Sequence, residues 1–178
     1  MKFGKLKIDD LSQEELRSIV FESQTKLNQH QRNMLLGILD LERATVEDCM
    51  IPRKDLYAIN YEDTWNMILE QLAHSPYSRA IVYQGDMEHI LGELHLKDAL
   101  KLLQTESDQA YEQLKTLLDP PYFVKNTTNL LQQLRDFQTH NEKFGIVINE
   151  AGKVLGIVTV EDIVEEVMGE FTELDELR

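Results

Sequence analysis

Positive charge is scarce in this chain. It has 18 lysines and arginines against 32 aspartates and glutamates, a formal net charge of −14. Nucleic acid needs a basic footprint, and an anionic bilayer surface attracts basic segments, so neither fits as a direct partner. Cysteine is nearly absent. Cys49 stands alone, which rules out an intrachain disulfide and fits a reducing compartment. With no His or Lys close to it in sequence, it reads as a small half-buried residue, not a nucleophile. No apolar run approaches the ~20 residues that a membrane-spanning helix needs. The start, Met1 to Lys5, lacks the apolar stretch of a signal peptide. His74, His89 and His140 are scattered, without metal-ligand spacing. No nucleophile–base pair, carboxylate dyad or P-loop lysine pattern is present, so the expectation is a non-enzyme.

What the chain does have is apolar residues, 42% of 178. That suffices for a core in one ordinary domain or two small ones. It also has an internal repeat. Gly92-Glu93-Leu94-His95-Leu96-Lys97-Asp98 recurs 64 residues later as Gly156-Ile157-Val158-Thr159-Val160-Glu161-Asp162. The correspondence reads as gapless from Arg79/Lys143 to Leu100/Val164, and a fixed period implies duplicated structural units. Twin units create a pseudo-two-fold axis with clefts at the junction, where small ligands commonly bind.

Two helices come first. Ser12 and Glu15 form a capping-box pattern for a helix over 14–21. A second helix is expected over 28–40, with Met34, Leu35, Ile38 and Leu41 on one face. Thr45 to Met50 is a short helical turn that Pro52 ends. The first unit then reads as a strand over 56–59 and a helix carrying Trp65, Ile68, Leu69 and Leu72. Next come strands over 79–83 and 89–94 joined by a turn over 84–88, and a helix over 97–104 with Ala99, Leu100 and Leu103 inward. After a partly helical connector and Pro120-Pro121, the order β-α-β-β-α recurs. The strands are 122–124, 144–149 and 154–158, the first helix carries Leu130, Leu131, Leu134 and Phe137, and a last helix runs over 161–168. Gly169 ends that helix ahead of an acidic tail. The expected segments are a helical linker (1–43), a first unit (44–104), a connector (105–118), a second unit (119–169) and the tail (170–178).

The chemistry concentrates at 156–162. A strand ends there, Thr159 sits at the strand–helix junction, and Asp162 lies three residues on. A helix N-terminus offers free N–H groups and partial positive charge to a phosphate. An aspartate on the first turn can accept from ribose hydroxyls, and Ile157 supplies an apolar wall for a base. The same residues equally make a helix cap, with Thr159 capping and Asp162 complementing the dipole. Thr45 likewise reads as an N-cap. Arg79 could be a surface ion-pair residue, and Tyr77 could simply pack at a helix end.

The duplicated unit ending in Gly-Ile-Val-Thr-Val-Glu-Asp resembles a cystathionine-β-synthase (CBS) domain pair, or Bateman module. Thr45 to Arg53, Ser75 to Arg79 and Thr159 to Glu170 are similar to segments of the CorB/CorC magnesium and cobalt efflux family, the bacterial relatives of the CNNM proteins. The helices over 10–40 resemble the linker preceding that pair. The resemblance implies an α/β fold of tandem CBS domains with an N-terminal helical linker. It also implies an adenine-nucleotide site for MgATP (or AMP or ADP), with Mg²⁺ held only through the nucleotide. Thr45 and Tyr77 would then approach adenine or ribose, Arg79 and Thr159 phosphate, and Asp162 ribose. His95 and Asp98 are the first unit's equivalents of Thr159 and Asp162. The implied partners are a second copy, paired through helix faces carrying Ala99, Leu100 and Leu103 and Ile163, Val164 and Val167, and a transmembrane domain of the same parent protein. The implied place is the cytoplasmic side of the inner membrane, with this chain an excised piece. The alternative function is a structural dimerisation module without ligand.

Overall fold

Apolar periodicity gives the helices of the repeated units their buried stripes, and among the described residues the β-rich runs pair into two sheets. A computed structural model describes residues 11–23, 27–104 and 107–168; the expected tail, Gly169 and the first ten residues lie outside these. Helix α1 (Gln13–Glu22) starts at Ser12, whose hydroxyl accepts from Glu15 N at 3.3 Å while Ser12 N donates to Glu15 Oε2 at 2.7 Å. Helix α2 (Gln29–Asp40) is capped in the same way by Asn28 and Gln31. On α2, Leu35 and Ile38 of the expected apolar face are exposed, while Leu41 just beyond the helix is buried.

A short helix α3 (Val46–Cys49) leads into a two-residue strand, β1 (Ile51–Pro52). The first unit continues through β2 (Ala58–Asn60), α4 (Trp65–His74), β3 (Arg79–Gln84), β4 (Asp86–His95) and α5 (Leu96–Ala99). Trp65, Ile68 and Leu72 form the buried stripe of α4. A 3-10 segment, Leu100–Gln104, follows α5. Its tighter winding of 3.0 residues per turn puts residues three apart on one side. Ala99 and Leu102 therefore point inward, and Leu100, expected inside, is 65% exposed. The turn between β3 and β4 is also shorter than expected, because Gly85 at φ +68° reverses the chain at once. Helix α6 (Ser107–Thr116) and strand β5 (Leu118–Asp119) form the connector. The second unit comprises β6 (Phe123–Lys125), α7 (Leu130–His140), β7 (Phe144–Ile148), β8 (Val154–Thr159) and α8 (Val160–Met168).

The sheets have the orders β2-β3-β4-β5 and β1-β8-β7-β6. Each unit thus contains a parallel pair (β2 with β3, β6 with β7) and an antiparallel hairpin. The outer strands are exchanged between the units. β1, at the entry to the first unit, pairs with β8 of the second, and β5, at the entry to the second unit, pairs with β4 of the first. Glycine permits both approaches. A Cβ at Gly92 would lie 2.5 Å from the Asp119 carbonyl oxygen, and one at Gly156 would fall on the carbonyl oxygen of Ile51.

The repeat is not gapless in space. Val82 faces Gly92 in the first hairpin and Val147 faces Gly156 in the second. So β3 maps onto β7 with a shift of 65 residues, although β4 maps onto β8 with 64. Register shifts around Tyr83 absorb the extra residue of the first hairpin. The spatial counterpart of Arg79 is therefore Phe144, not Lys143.

Among the described residues, three apolar clusters hold the fold. One lies inside the first unit and includes Ala110 and Leu114 of α6. The second lies inside the second unit and includes Leu41 and Val46. The third joins the two sheets through Ile81, Phe144, Ile146 and Val154. A side chain of this size, fully removed from water, contributes about 1.5–3 kcal/mol. Helix α2 lies along α8, and a Cβ on Gly37 would sit 2.9 Å from the Cα of Val167.

Candidate functional site

The junction between the sheets opens into a cleft of about 350 Å³, within the size range of small-molecule sites. Its wall is built from strand ends, one helix start and the turns beside them. Tyr77, Ser78, Arg79 and Ile81 come from the start of β3 and the turn before it. Lys143 and Phe144 come from the start of β7, and Ile157 and Thr159 from the end of β8. Glu161 and Asp162 come from the first turn of α8. Ile51, Asp55, Leu56 and Tyr57 complete the wall.

Thr159 and Asp162 make a reciprocal cap. Thr159 N and Oγ1 donate to Asp162 Oδ2 at 2.6 and 2.8 Å, and Asp162 N donates to Thr159 Oγ1 at 3.1 Å. Val160 N donates to the Lys143 carbonyl at 3.1 Å, which ties the helix start to β7. Asp162 Oδ1 has no hydrogen-bond partner among the described residues and is available to a ligand.

Tyr77 is half-exposed and tilted against Tyr57, with ring centroids 6.3 Å apart. Together they give the cleft an aromatic flank. Arg79 is already engaged. Its Nη1 donates to Oε1 of Glu93, a carboxylate 95% removed from solvent. Burial pushes the Glu93 carboxyl above its ordinary range, and Asp119 adds to that shift; the Arg79 hydrogen bond and charge, with His95, oppose it. Lys143 has no ion-pair partner among the described residues. The wall therefore carries two cations, Arg79 and Lys143, and three carboxylates, Asp55, Glu161 and Asp162.

Of the residues expected to act, the structure gathers Tyr77, Arg79, Ile157, Thr159 and Asp162 around one cleft. Thr45 is not among the residues lining it. Thr45 N and Oγ1 donate to Asp48 Oδ2 at 2.7 and 2.9 Å, repeating at the start of α3 the cap seen at α8. Of the first unit's equivalents, Asp98 pairs with Lys101, and His95 Nε2 lies 4.0 Å from Asp119 Oδ2. Lys143, Phe144, Tyr57 and Asp55 were not anticipated. Lys143 was accessible in principle, since it begins the repeat opposite Arg79. Among the described residues no group of three or more His, Cys, Asp or Glu could hold a metal ion. The expected pairing faces are only partly open. Ala99 and Ile163 belong to this chain's own cores, Val167 packs beside α2, and Leu100 and Val164 are exposed.

Two β-α-β-β-α units packed together around such a cleft are a CBS domain pair. The CBS domain family model matches residues 46–105 and 114–169. A CBS-domain pair with bound AMP from Klebsiella pneumoniae is 36% identical, covers 71% of this chain and 99% of its own, and superposes with a TM-score of 0.66. The CBS domain of a bacterial CNNM/CorC family Mg²⁺ transporter in complex with ATP is 31% identical, covers 78% and 97%, and gives a TM-score of 0.67. The UPF0053 inner membrane protein YfjD of Escherichia coli is 41% identical over 91% of this chain and 38% of its own length. This chain belongs to the CBS-domain family, as a tandem pair of the bacterial CNNM/CorC type. It spans about two fifths of the length of the first curated relatives it matches. No helix among the described residues is long and apolar enough to cross a membrane.

Proposed function

We propose that this chain is the regulatory adenine-nucleotide module of a membrane protein that exports divalent cations, magnesium or cobalt. MgATP is the ligand of the cleft, with AMP and ADP as smaller alternatives. The observation that carries this reading is the convergence of a free carboxylate oxygen on Asp162, the start of α8, an aromatic flank and two cations on one 350 Å³ cleft. Asp162 Oδ1 accepts from ribose, and Thr159 with the helix N-terminus meets phosphate. Ile157 and Phe144 enclose the base, with Tyr77 beside it, while Arg79 and Lys143 meet the phosphate chain. Carboxylates outnumber cations on the wall, so the polyphosphate enters with its charge offset by Mg²⁺.

The nucleotide acts by binding one arrangement of the pair more tightly and so shifting its population. That shift is passed to a transmembrane domain of the same parent protein on the cytoplasmic side of the inner membrane. Two copies pair through the exposed Leu100 and Val164. One observation favours the second reading, a dimerisation module without ligand: Thr159 and Asp162 already satisfy each other as a cap.

Calorimetry with ATP, with and without Mg²⁺, separates the two. The nucleotide reading expects Mg²⁺-dependent binding that Asp162→Ala weakens at least tenfold, about 1.4 kcal/mol. It also expects stabilisation of about 2.7 kcal/mol at a hundredfold excess over Kd. No heat and no thermal shift with ATP, ADP or AMP leaves the dimerisation reading.

A further inference from the structure

Arg79 faces two ways. It lines the cleft, and its guanidinium is held by Glu93, a buried carboxylate on the adjacent strand. The matching place in the second unit shows what the fold itself requires. There the counterpart of Arg79 is Phe144 and that of Glu93 is Ile157, by the facing of Val82 with Gly92 and of Val147 with Gly156. An apolar pair therefore fills the same architectural position. Well-packed apolar residues commonly replace a buried ion pair without loss of stability, so folding does not account for the Arg79–Glu93 pair.

We propose that Glu93 sets which adenine nucleotide the cleft prefers, by holding Arg79 against β4 so that added phosphates must compete with a protein carboxylate for it. This rests on the adenine-nucleotide reading of the same cleft. Lys143 is the lining cation without an ion-pair partner among the described residues, and it lies beside the start of α8. Those two groups suffice for one phosphate. A second and third phosphate need the guanidinium, and drawing it away strips a desolvated carboxylate of its main counter-charge. Glu93 thus lowers affinity for the longer phosphate chains while leaving adenosine unaffected.

The test is calorimetric titration of the whole chain with adenosine, AMP and MgATP, in wild type, Glu93→Gln and Glu93→Ile. The isoleucine copies the residue at the matching place in the second unit, and the glutamine is isosteric, so one of the two should remain folded; thermal melts check this. Both variants are expected to bind MgATP about tenfold more tightly, the equivalent of one hydrogen bond to a charged group released for the ligand. Adenosine affinity should stay within about twofold, and AMP should gain less than MgATP. In an Arg79→Ala background the Glu93 substitution should change nothing. Folded variants that bind MgATP no more tightly than wild type, or a gain that persists without Arg79, would overturn the proposal while leaving the nucleotide reading intact. Failure of the wild type to bind adenosine, AMP or MgATP would instead remove that reading, and this proposal with it.

Discussion

Replacing Gly156 by alanine should loosen one outer strand and the cleft wall behind it. A Cβ at this position would fall on the Ile51 carbonyl oxygen and lie 3.2 Å from the Cα of Pro52. Both contacts are backbone, so no side chain can rotate away. Crowding of this kind costs about 1–3 kcal/mol. Freeing β1 from β8 loses up to two ladder hydrogen bonds at about 1 kcal/mol each. The lower entropy of the unfolded alanine chain returns about 0.4–1 kcal/mol. The net expectation is a loss of about 2–4 kcal/mol, a large share of the ~5–15 kcal/mol that stabilises an ordinary domain. Urea unfolding should show a lower midpoint with an unchanged slope. Gly92→Ala makes the matched control, because its Cβ would meet Asp119 and Leu118 on β5. It should lose similar stability. Only Gly156→Ala should also weaken ligand binding, because Ile51 lines the cleft and β5 does not. An unfolding midpoint equal to wild type for Gly156→Ala would refute the pairing of β1 with β8 and the reasoning built on it.

Gln133 lies fully buried on α7 beside Tyr122, with its Nε2 lacking a hydrogen bond of good geometry, where the first unit places Ile68. Gln133→Leu should therefore raise stability by about 1 kcal/mol in urea unfolding. Glu93 faces Arg79, His95 and Asp119, and burial holds its carboxyl above the ordinary 4.5. The folded state then binds this proton more tightly than the unfolded state. Its contribution to stability is complete below the unfolded value and is lost as pH rises through the folded one. Wild type should lose stability relative to Glu93→Gln on going from pH 4 toward pH 7, read from paired midpoints. Cys49 is half-buried, and burial with nearby Asp162, Glu166 and Asp48 pushes its thiol up to about 12. The native protein should resist a thiol reagent at pH 8 and react on unfolding; rapid native labelling would contradict this.

Much of the fold was legible along the chain, because each long element carries its own signal. The Ser12–Glu15 box marks α1, and Trp65, Ile68 and Leu72 mark the stripe of α4. What escaped was short or tertiary. Strands of two residues, such as β1 and β5, have no periodicity to read, so their exchange between sheets leaves no local trace. After Ala99 the chain continues as a 3-10 segment with Leu102 inward and Leu100 outward; Ala99 and Leu102 share a side at either helical period, so the miss lay in placing Leu100 on that face. The extra residue near Tyr83 hid the match of Arg79 with Phe144. In the cleft, Thr159 and Asp162 announced themselves by spacing on one helix start. Tyr57, Lys143 and Phe144 reach it only because the two sheets meet. Glu93 stands within the repeat, but its grip on Arg79 depends on strands folding side by side.

The crossed arms β1 and β5 have a further consequence. Neither half of this protein is a self-sufficient piece: cut between them, each would present a bare strand edge where its sibling's arm had lain, an open invitation to clumping. Two such pieces mixed together should each regain what they lack only by recombining into one particle. Their reassembly would be driven by the same clasp that, in the uncut chain, ties the halves to each other as they fold.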